Sequence, residues 1–147
     1  MNIRHKIHEI IPGKLYQRGQ IMTWQPDVKQ KIFEELGISI VVNFWPKIDY
    51  DLAIMPLDFY LYAPAMRSEQ MLEDRMEILA MSIAQMLQET NAAALILCEA
   101  GVTRSVFFSV LVVSYYMNCS LPEAYNIVEA ILPKMKLKQF MLDYIHG

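Results

Sequence analysis

Short apolar runs along the chain indicate the strands of a sheet. Ile38–Phe44 and Ala92–Leu97 are continuous hydrophobic runs bounded by turn or loop residues, which is typical of buried strands. Leu15–Arg18, which follows a Pro-Gly turn signal, and the aromatic run Phe59–Ala63 predict two more short strands. We therefore expect at least four strands.

The segments between these runs carry the periodicity of helices. Pro26–Leu36 starts with proline and is followed by glycine, and Ser68–Glu89 repeats apolar residues at helical spacing. An apolar segment beginning at Ser105, then Leu121–Ile131 and Lys136–Ile145, predict three further helices. Because short buried strands alternate with helices, we predict an α/β fold with a central, mostly parallel sheet flanked by helices.

Length and hydropathy narrow this prediction. The chain has 147 residues, of which 54% are hydrophobic, so we expect a single folded domain spanning residues 1–147. The longest apolar stretch, Val106–Met117, is shorter than the ~20 residues of a membrane-spanning helix and predicts a buried core helix.

Charge and cysteine usage indicate the cellular setting. A net charge of −3 argues against a nucleic-acid partner and against an anionic membrane surface. Cys98 and Cys119 are too few for a disulfide framework, and the charged N-terminal stretch lacks the apolar core of a secretion signal. We therefore expect a cytoplasmic protein without a membrane partner. The sequence does not indicate the oligomeric state.

The segment that joins the strand ending near Cys98 to the next helix carries the candidate chemistry. Gly101 lies in the middle of this loop, and Arg104 and Ser105 open the helix. A tight loop there turns backbone N–H groups toward one anion at the helix N-terminus, and glycine permits the backbone geometry this needs. The guanidinium of Arg104 can bind two oxygens of a phosphate.

The same electrostatic field stabilises a thiolate at Cys98. A thiolate beneath a bound phosphate is a nucleophile for phosphoryl transfer through a phosphocysteine intermediate. The hydroxyl of Ser105 can stabilise the thiolate that departs when water breaks this intermediate. This chemistry calls for no metal and no cofactor, and His5 and His8 lack a convincing third ligand for a metal site.

The loop CEAGVTRS (98–105) resembles the signature loop of the cysteine-dependent protein tyrosine phosphatases, in particular their small dual-specificity branch. The segments KLYQRGQ (14–20), LGISIVVNF (36–44), DFYLYAP (58–64) and SLPEAYNIVEAILP (120–133) are similar to elements of that family. The resemblance implies that Cys98 is the nucleophile, Arg104 the phosphate clamp and Ser105 the thiolate partner. It also implies a phosphate cradle made by the backbone N–H groups of Glu99, Ala100, Gly101, Val102, Thr103 and Arg104.

The chain departs from the family pattern at two places. Leu97 stands where the family usually has a histidine before the nucleophile. Met66 or Arg67 falls at the position of the aspartic acid that protonates the leaving group, and arginine cannot donate a proton at neutral pH. Arg67 can instead bind a second anionic group of the substrate.

Three carboxylates downstream of this position are candidates for the acid role. Glu69 is the best placed, ahead of Glu73 and Asp74, although a solvated carboxylate in the first turn of a helix is the competing interpretation for each. The segment Trp45–Asp49 resembles the family's Trp-Pro-Asp loop but follows the wrong strand, and we expect Asp49 in an exposed loop.

These residues predict a metal-independent phosphatase acting on phosphotyrosine, with phosphoserine and phosphothreonine left open. Without an acid, the same site would suit phosphates with good leaving groups, such as RNA 5′-triphosphate ends, nucleotides or inositol phosphates. The partner is then a phosphorylated protein or a small phosphorylated molecule. A pseudophosphatase that binds phosphate without turnover is the alternative from another functional class.

Overall fold

A computed structural model describes residues 6–147 and contains a five-stranded sheet. The strands are β1 (His8–Ile11), β2 (Leu15–Gly19), β3 (Ile38–Asn43), β4 (Phe59–Tyr62) and β5 (Ala93–Cys98). Their spatial order is β1-β2-β5-β3-β4, and all neighbours are parallel except β1 and β2. The predicted α/β fold with a mostly parallel sheet is confirmed.

The helices cover both faces of this sheet. They are α1 (Pro26–Leu36), α2 (Tyr50–Ile54), α3 (Asp74–Glu89), α4 (Arg104–Met117), α5 (Leu121–Ile131) and α6 (Gln139–His146). Core residues of α3 to α6 pack on one face, and those of α1 and α2 pack on the other. None of the helices in the described residues is long and apolar enough to cross a membrane.

Strand β5 divides the two cores because alternate side chains of a strand point to opposite faces. Its residues Ala94, Ile96 and Cys98 belong to the core beneath α4, whereas Leu95 and Leu97 belong to the core beneath α1. Cys98 is therefore on the face covered by α4, and Leu97 packs into the opposite core.

Two element predictions need correction, and two elements were missed. The single helix expected over Ser68–Glu89 is a 3-10 helix at Ser68–Leu72 followed by α3, because Glu73 has an extended backbone (ψ 146°). The last helix begins at Gln139 rather than Lys136. Strand β1 and helix α2 were not predicted.

Asp49 was expected in an exposed loop, and this is wrong. It is 4% exposed and caps α2, where its carboxylate accepts a hydrogen bond from the Leu52 N–H. Its carboxylate also lies 3.0 Å from the ammonium of Lys29, which is fully buried and reaches Asp51 as well. The buried pair accounts for the position of Asp49, since an unpaired charge would be costly in the core.

Candidate active site

The loop between β5 and α4 packs directly against the end of β2. Gly101 has a positive φ of 74°, and a Cβ atom there would lie 2.3 Å from the backbone nitrogen of Gly19. The Gln20 N–H donates to the Glu99 carbonyl at 3.1 Å. A glycine is required at position 101 both for the left-handed backbone and for this close approach.

The far side of the loop is held by the segment between α5 and α6. The Thr103 hydroxyl donates to the Lys136 carbonyl at 2.8 Å, and the Lys136 N–H donates to the Val102 carbonyl at the same distance. The loop is therefore hydrogen-bonded to its surroundings at both ends.

Cys98 lies at the base of this loop. It is 2% exposed, and its Sγ is 3.1 Å from the Ser105 Oγ. The Gly101 N–H donates to the same sulfur at 3.3 Å. A backbone N–H, a hydroxyl and the N-terminus of α4 thus surround the thiol.

Arg104 begins α4 and its side chain crosses the mouth of the loop. One guanidinium nitrogen donates to the Ala65 carbonyl at 2.6 Å, and the other lies 3.7 Å from the Glu99 carboxylate. Since a guanidinium has five N–H donors, these contacts orient Arg104 and leave donors for an anion.

A cleft of about 300 Å³ opens over Cys98 and Arg104. Trp45, Pro46 and Met66 supply apolar surface to it, and Lys138 adds a cation. Trp45, Pro46 and Met66 come from the loops that follow β3 and β4. These loops lie at the carboxyl ends of the strands, which is the edge where ligands bind in open α/β sheets. Sequence reasoning missed Trp45, Pro46 and Lys138 as lining residues; for the first two, their position directly after a buried strand was the available signal.

The carboxylates considered for the acid role do not line the cleft over Cys98. Met66 and Ser68 line the cleft, but Arg67 and Glu69 are exposed and are not among its lining residues. Glu73 is paired with Arg75 instead. Among the described residues that line the cleft, the one carboxylate is that of Glu99, and it faces Arg104.

Ser105 has a second polar partner that sequence reasoning missed. Its Oγ donates to the Gln17 Oε1 at 2.8 Å, and both residues are completely buried. Gln17 belongs to β2 and pairs with Ile96 of β5. A glutamine inside a strand motif carries no sequence signal for this role, because only the parallel pairing brings it beneath Ser105.

Among residues 6–147, the remaining thiol and the two histidines do not line the cleft. Cys119 is a free thiol whose pKa is raised by burial and, to a lesser degree, by Glu123. In residues 6–147, no group of three or more His, Cys, Asp or Glu side chains could hold a metal ion. His5 lies outside the described residues.

Comparisons with known proteins identify the fold. No family model matches the sequence, and no curated protein matches it either. Solved structures do match over nearly the whole chain, and they are dual-specificity and protein tyrosine phosphatases. The chain therefore has the dual-specificity phosphatase-like fold, as its sequence resemblance predicted.

Three solved structures illustrate the likeness. The PTP-2 phosphatase of Cydia pomonella is 15% identical, with a TM-score of 0.77 over 97% of this chain and 89% of that one. Human DUSP28 is 15% identical, with a TM-score of 0.73 over 95% of this chain and 90% of that one. PTPMT1 in complex with PI(5)P is 10% identical, with a TM-score of 0.78 over 95% and 91%.

Proposed function

We propose that this protein is a metal-independent phosphatase that forms a phosphocysteine intermediate. The observation that supports the proposal most directly is the buried Cys98 thiol, which lies within hydrogen-bond distance of Ser105 and the Gly101 N–H beneath the anchored guanidinium of Arg104. A nucleophile, an anion cradle and a leaving-thiolate partner thus meet at one point.

The proposed reaction has two steps. The Cys98 thiolate attacks phosphorus, so that a P–S bond forms while the bond to the leaving oxygen breaks. Arg104 and the N–H groups of the loop hold the nonbridging oxygens, whose charge grows in the transition state. Water then attacks the phosphocysteine, and the P–S bond breaks to release phosphate. The Ser105 hydroxyl turns from Gln17 to donate its hydrogen to the departing thiolate.

The cleft favours aryl phosphates, and we propose phosphotyrosine as the substrate. Tyrosine leaves with a pKa of about 10 and needs less protonation than an alkyl alcohol does. The described lining offers no carboxylate beyond Glu99, which Arg104 faces. Trp45, Pro46 and Met66, the last 70% exposed, provide an apolar rim that can contact a phenyl ring.

Hydrolysis of p-nitrophenyl phosphate and of a phosphotyrosine peptide tests the proposal. We expect vanadate-sensitive turnover that Cys98→Ser abolishes, while the matched Cys119→Ser variant retains it. If the purified protein binds phosphopeptide without releasing phosphate, the site is that of a pseudophosphatase. If Cys98→Ser hydrolyses p-nitrophenyl phosphate as fast as the parent protein, the proposed nucleophile is wrong.

The predicted acid is tested with the same substrates. Glu69→Gln should leave the aryl phosphate rate unchanged, since Glu69 is exposed and not part of the cleft lining. The parent protein should hydrolyse phosphotyrosine at least 100-fold faster than phosphoserine, in line with the 10²–10⁴-fold typical of a missing general acid. Equal rates on the two substrates would show that an acid operates.

A second candidate substrate is a small molecule with more than one phosphate. It is favoured by Lys138, an exposed cation on the rim of the cleft, and one of the structurally similar proteins is in complex with PI(5)P. Lys138→Ala should then raise the KM for a multiply phosphorylated inositol more than that for p-nitrophenyl phosphate. The matched control is Lys134→Ala, an exposed lysine that does not line this cleft.

We also propose a cytoplasmic location for this activity. Both cysteines are free thiols, and a thiol nucleophile stays reduced in the cytoplasm.

A further inference from the structure

The turn that supplies Trp45 and Pro46 to the cleft is held by the side chain of the residue before it in the sheet. Asn43 is the last residue of β3 and is buried. Its Oδ1 accepts from the Trp45 N–H at 3.0 Å, and its Nδ2 donates to the Lys47 carbonyl at 2.9 Å. These backbone partners fix the orientation of the amide, since only its oxygen accepts and only its nitrogen donates. Asn43 therefore closes the turn on both sides of Pro46.

The hydroxyl of Tyr60 joins this turn to the start of α2. Tyr60 lies on β4, and its oxygen accepts from the Asn43 Nδ2 and from the Asp49 N–H, both at 3.0 Å. Asp49 is fixed in turn, because it caps α2 and its carboxylate pairs with the buried Lys29 of α1. The turn that carries Trp45 is therefore bonded to β4 and, through Asp49, to α1.

The tryptophan itself is restrained by its neighbours in the chain. Phe44, which precedes it, is completely buried, and its N–H donates to the Leu97 carbonyl at 2.8 Å. The Lys47 ammonium lies 5.1 Å from the centre of the half-buried Trp45 ring, a cation–π contact. A side chain that is already ordered loses little conformational entropy when a ligand binds against it. This wall of the cleft is therefore in place before a substrate arrives.

We propose that Asn43 and Tyr60 are positioning residues that hold Trp45 at the cleft for the aromatic ring of the substrate. Neither of them lines the cleft, so both act through Trp45. The phosphate group meets a different part of the site, the loop that ends at Arg104, and recognition of the ring is therefore separable from recognition of the phosphate. The inference rests on the proposed function, since it concerns the phenyl ring of the proposed substrate.

Calorimetric binding of phenyl phosphate and methyl phosphate to the Cys98→Ser variant tests the proposal. The two ligands carry the same phosphate group and differ in the ring, and this variant prevents turnover. Tyr60→Phe removes the oxygen that joins Asn43 to Asp49. It should weaken phenyl phosphate binding roughly threefold to tenfold, the equivalent of one aromatic contact, and leave methyl phosphate binding unchanged. The matched control Tyr62→Phe, on the same strand but outside the cleft lining, should change neither.

Two further variants show whether the effect passes through Trp45. Trp45→Ala should weaken phenyl phosphate binding at least as much as Tyr60→Phe does, and Tyr60→Phe should have no further effect in that background. Asn43→Asp keeps an acceptor for the Trp45 N–H but removes the donor to the Lys47 carbonyl, so it should reproduce the Tyr60→Phe result. Equal weakening of both ligands, no change in either, or additive effects of Tyr60→Phe and Trp45→Ala would overturn the proposal.

The motion of Trp45 tests the inference independently of the proposed function. Trp24 and Trp45 are the two tryptophans of the chain, so Trp24→Phe leaves Trp45 as the fluorophore. In that background Tyr60→Phe should increase the amplitude of the nanosecond anisotropy decay of Trp45, because the turn loses a bonded partner. If neither phosphate ligand binds the Cys98→Ser variant, the proposed function is wrong. The anisotropy then still decides the positioning role, which an unchanged decay in Tyr60→Phe would refute.

Discussion

Substituting alanine for Gly101 is the most direct test of the loop geometry. The residue has a φ of 74°, which alanine adopts at a cost of about 1 kcal/mol. Gly13, in the turn between β1 and β2, has a nearly identical φ of 70°, but nothing lies within 4 Å of an added Cβ there. The two substitutions share the backbone strain and differ in the collision.

The steric clash of the added Cβ with β2 determines how much stability and activity Gly101→Ala loses. A Cβ at position 101 would lie 2.3 Å from the Gly19 nitrogen and 2.8 Å from the Arg18 carbonyl carbon, whereas ordinary contact begins at 3.4 Å. These are backbone atoms of β2, so the loop must move by about 1 Å. Overpacking of this kind typically adds 1–3 kcal/mol, and a displacement of 1 Å at a reacting group can cost about 100-fold in rate.

Urea unfolding and p-nitrophenyl phosphate turnover measure these two consequences. We expect Gly13→Ala to lose about 1 kcal/mol with normal turnover. Gly101→Ala should lose roughly 2–4 kcal/mol and most of its kcat. The reasoning is refuted if both variants lose the same stability and Gly101→Ala turns over normally.

Three further predictions concern the ion pair, a tyrosine and the guanidinium. Lys29→Met leaves the buried Asp49 carboxylate unpaired and should cost roughly 3–5 kcal/mol in urea unfolding, whereas the Lys29→Met/Asp49→Asn double variant should recover part of it. The hydrogen bond to Glu77, together with burial, raises the pKa of Tyr115 to about 12. The contribution of this hydrogen bond to the free energy of unfolding should therefore be complete below pH 10 and disappear as the pH rises toward 12. Glu77→Gln should lower the midpoint of the Tyr115 titration, followed by ultraviolet absorbance, toward 10. Arg104→Lys should weaken vanadate binding by at least tenfold in a direct titration, because an ammonium cannot both bond to the Ala65 carbonyl and bind two oxygens.

Local sequence signals predicted much of the fold. The proline and glycine that bracket Pro26–Leu36, and the serine cap before Leu121–Ile131, gave both helices their observed bounds. Strand β1 was missed because its four residues, HEII, combine two charged or titratable side chains with two apolar ones and show no alternation. The break at Glu73 was missed because the apolar periodicity runs across it.

At the candidate site, the loop from Cys98 to Ser105 could be placed between a strand and a helix from the sequence, and the residues around it could not. Cys98, Gly101, Arg104 and Ser105 are close in sequence, so their spacing alone indicates an anion cradle. Gln17 reaches Ser105 only through the pairing of β2 with β5, which no local pattern encodes. A general acid cannot be assigned from the local sequence either, because whether a carboxylate enters the cleft depends on the path of the loop after β4.

The position of Cys98 on β5 has a consequence for native-state hydrogen exchange. This strand is bonded to parallel neighbours on both sides, and all six of its residues are buried. Amides in such a central strand exchange only when the whole domain opens, whereas surface loops open locally at much lower cost. We therefore expect the floor of the cleft, including the backbone amide of Cys98, to belong to the slowest-exchanging unit of the protein.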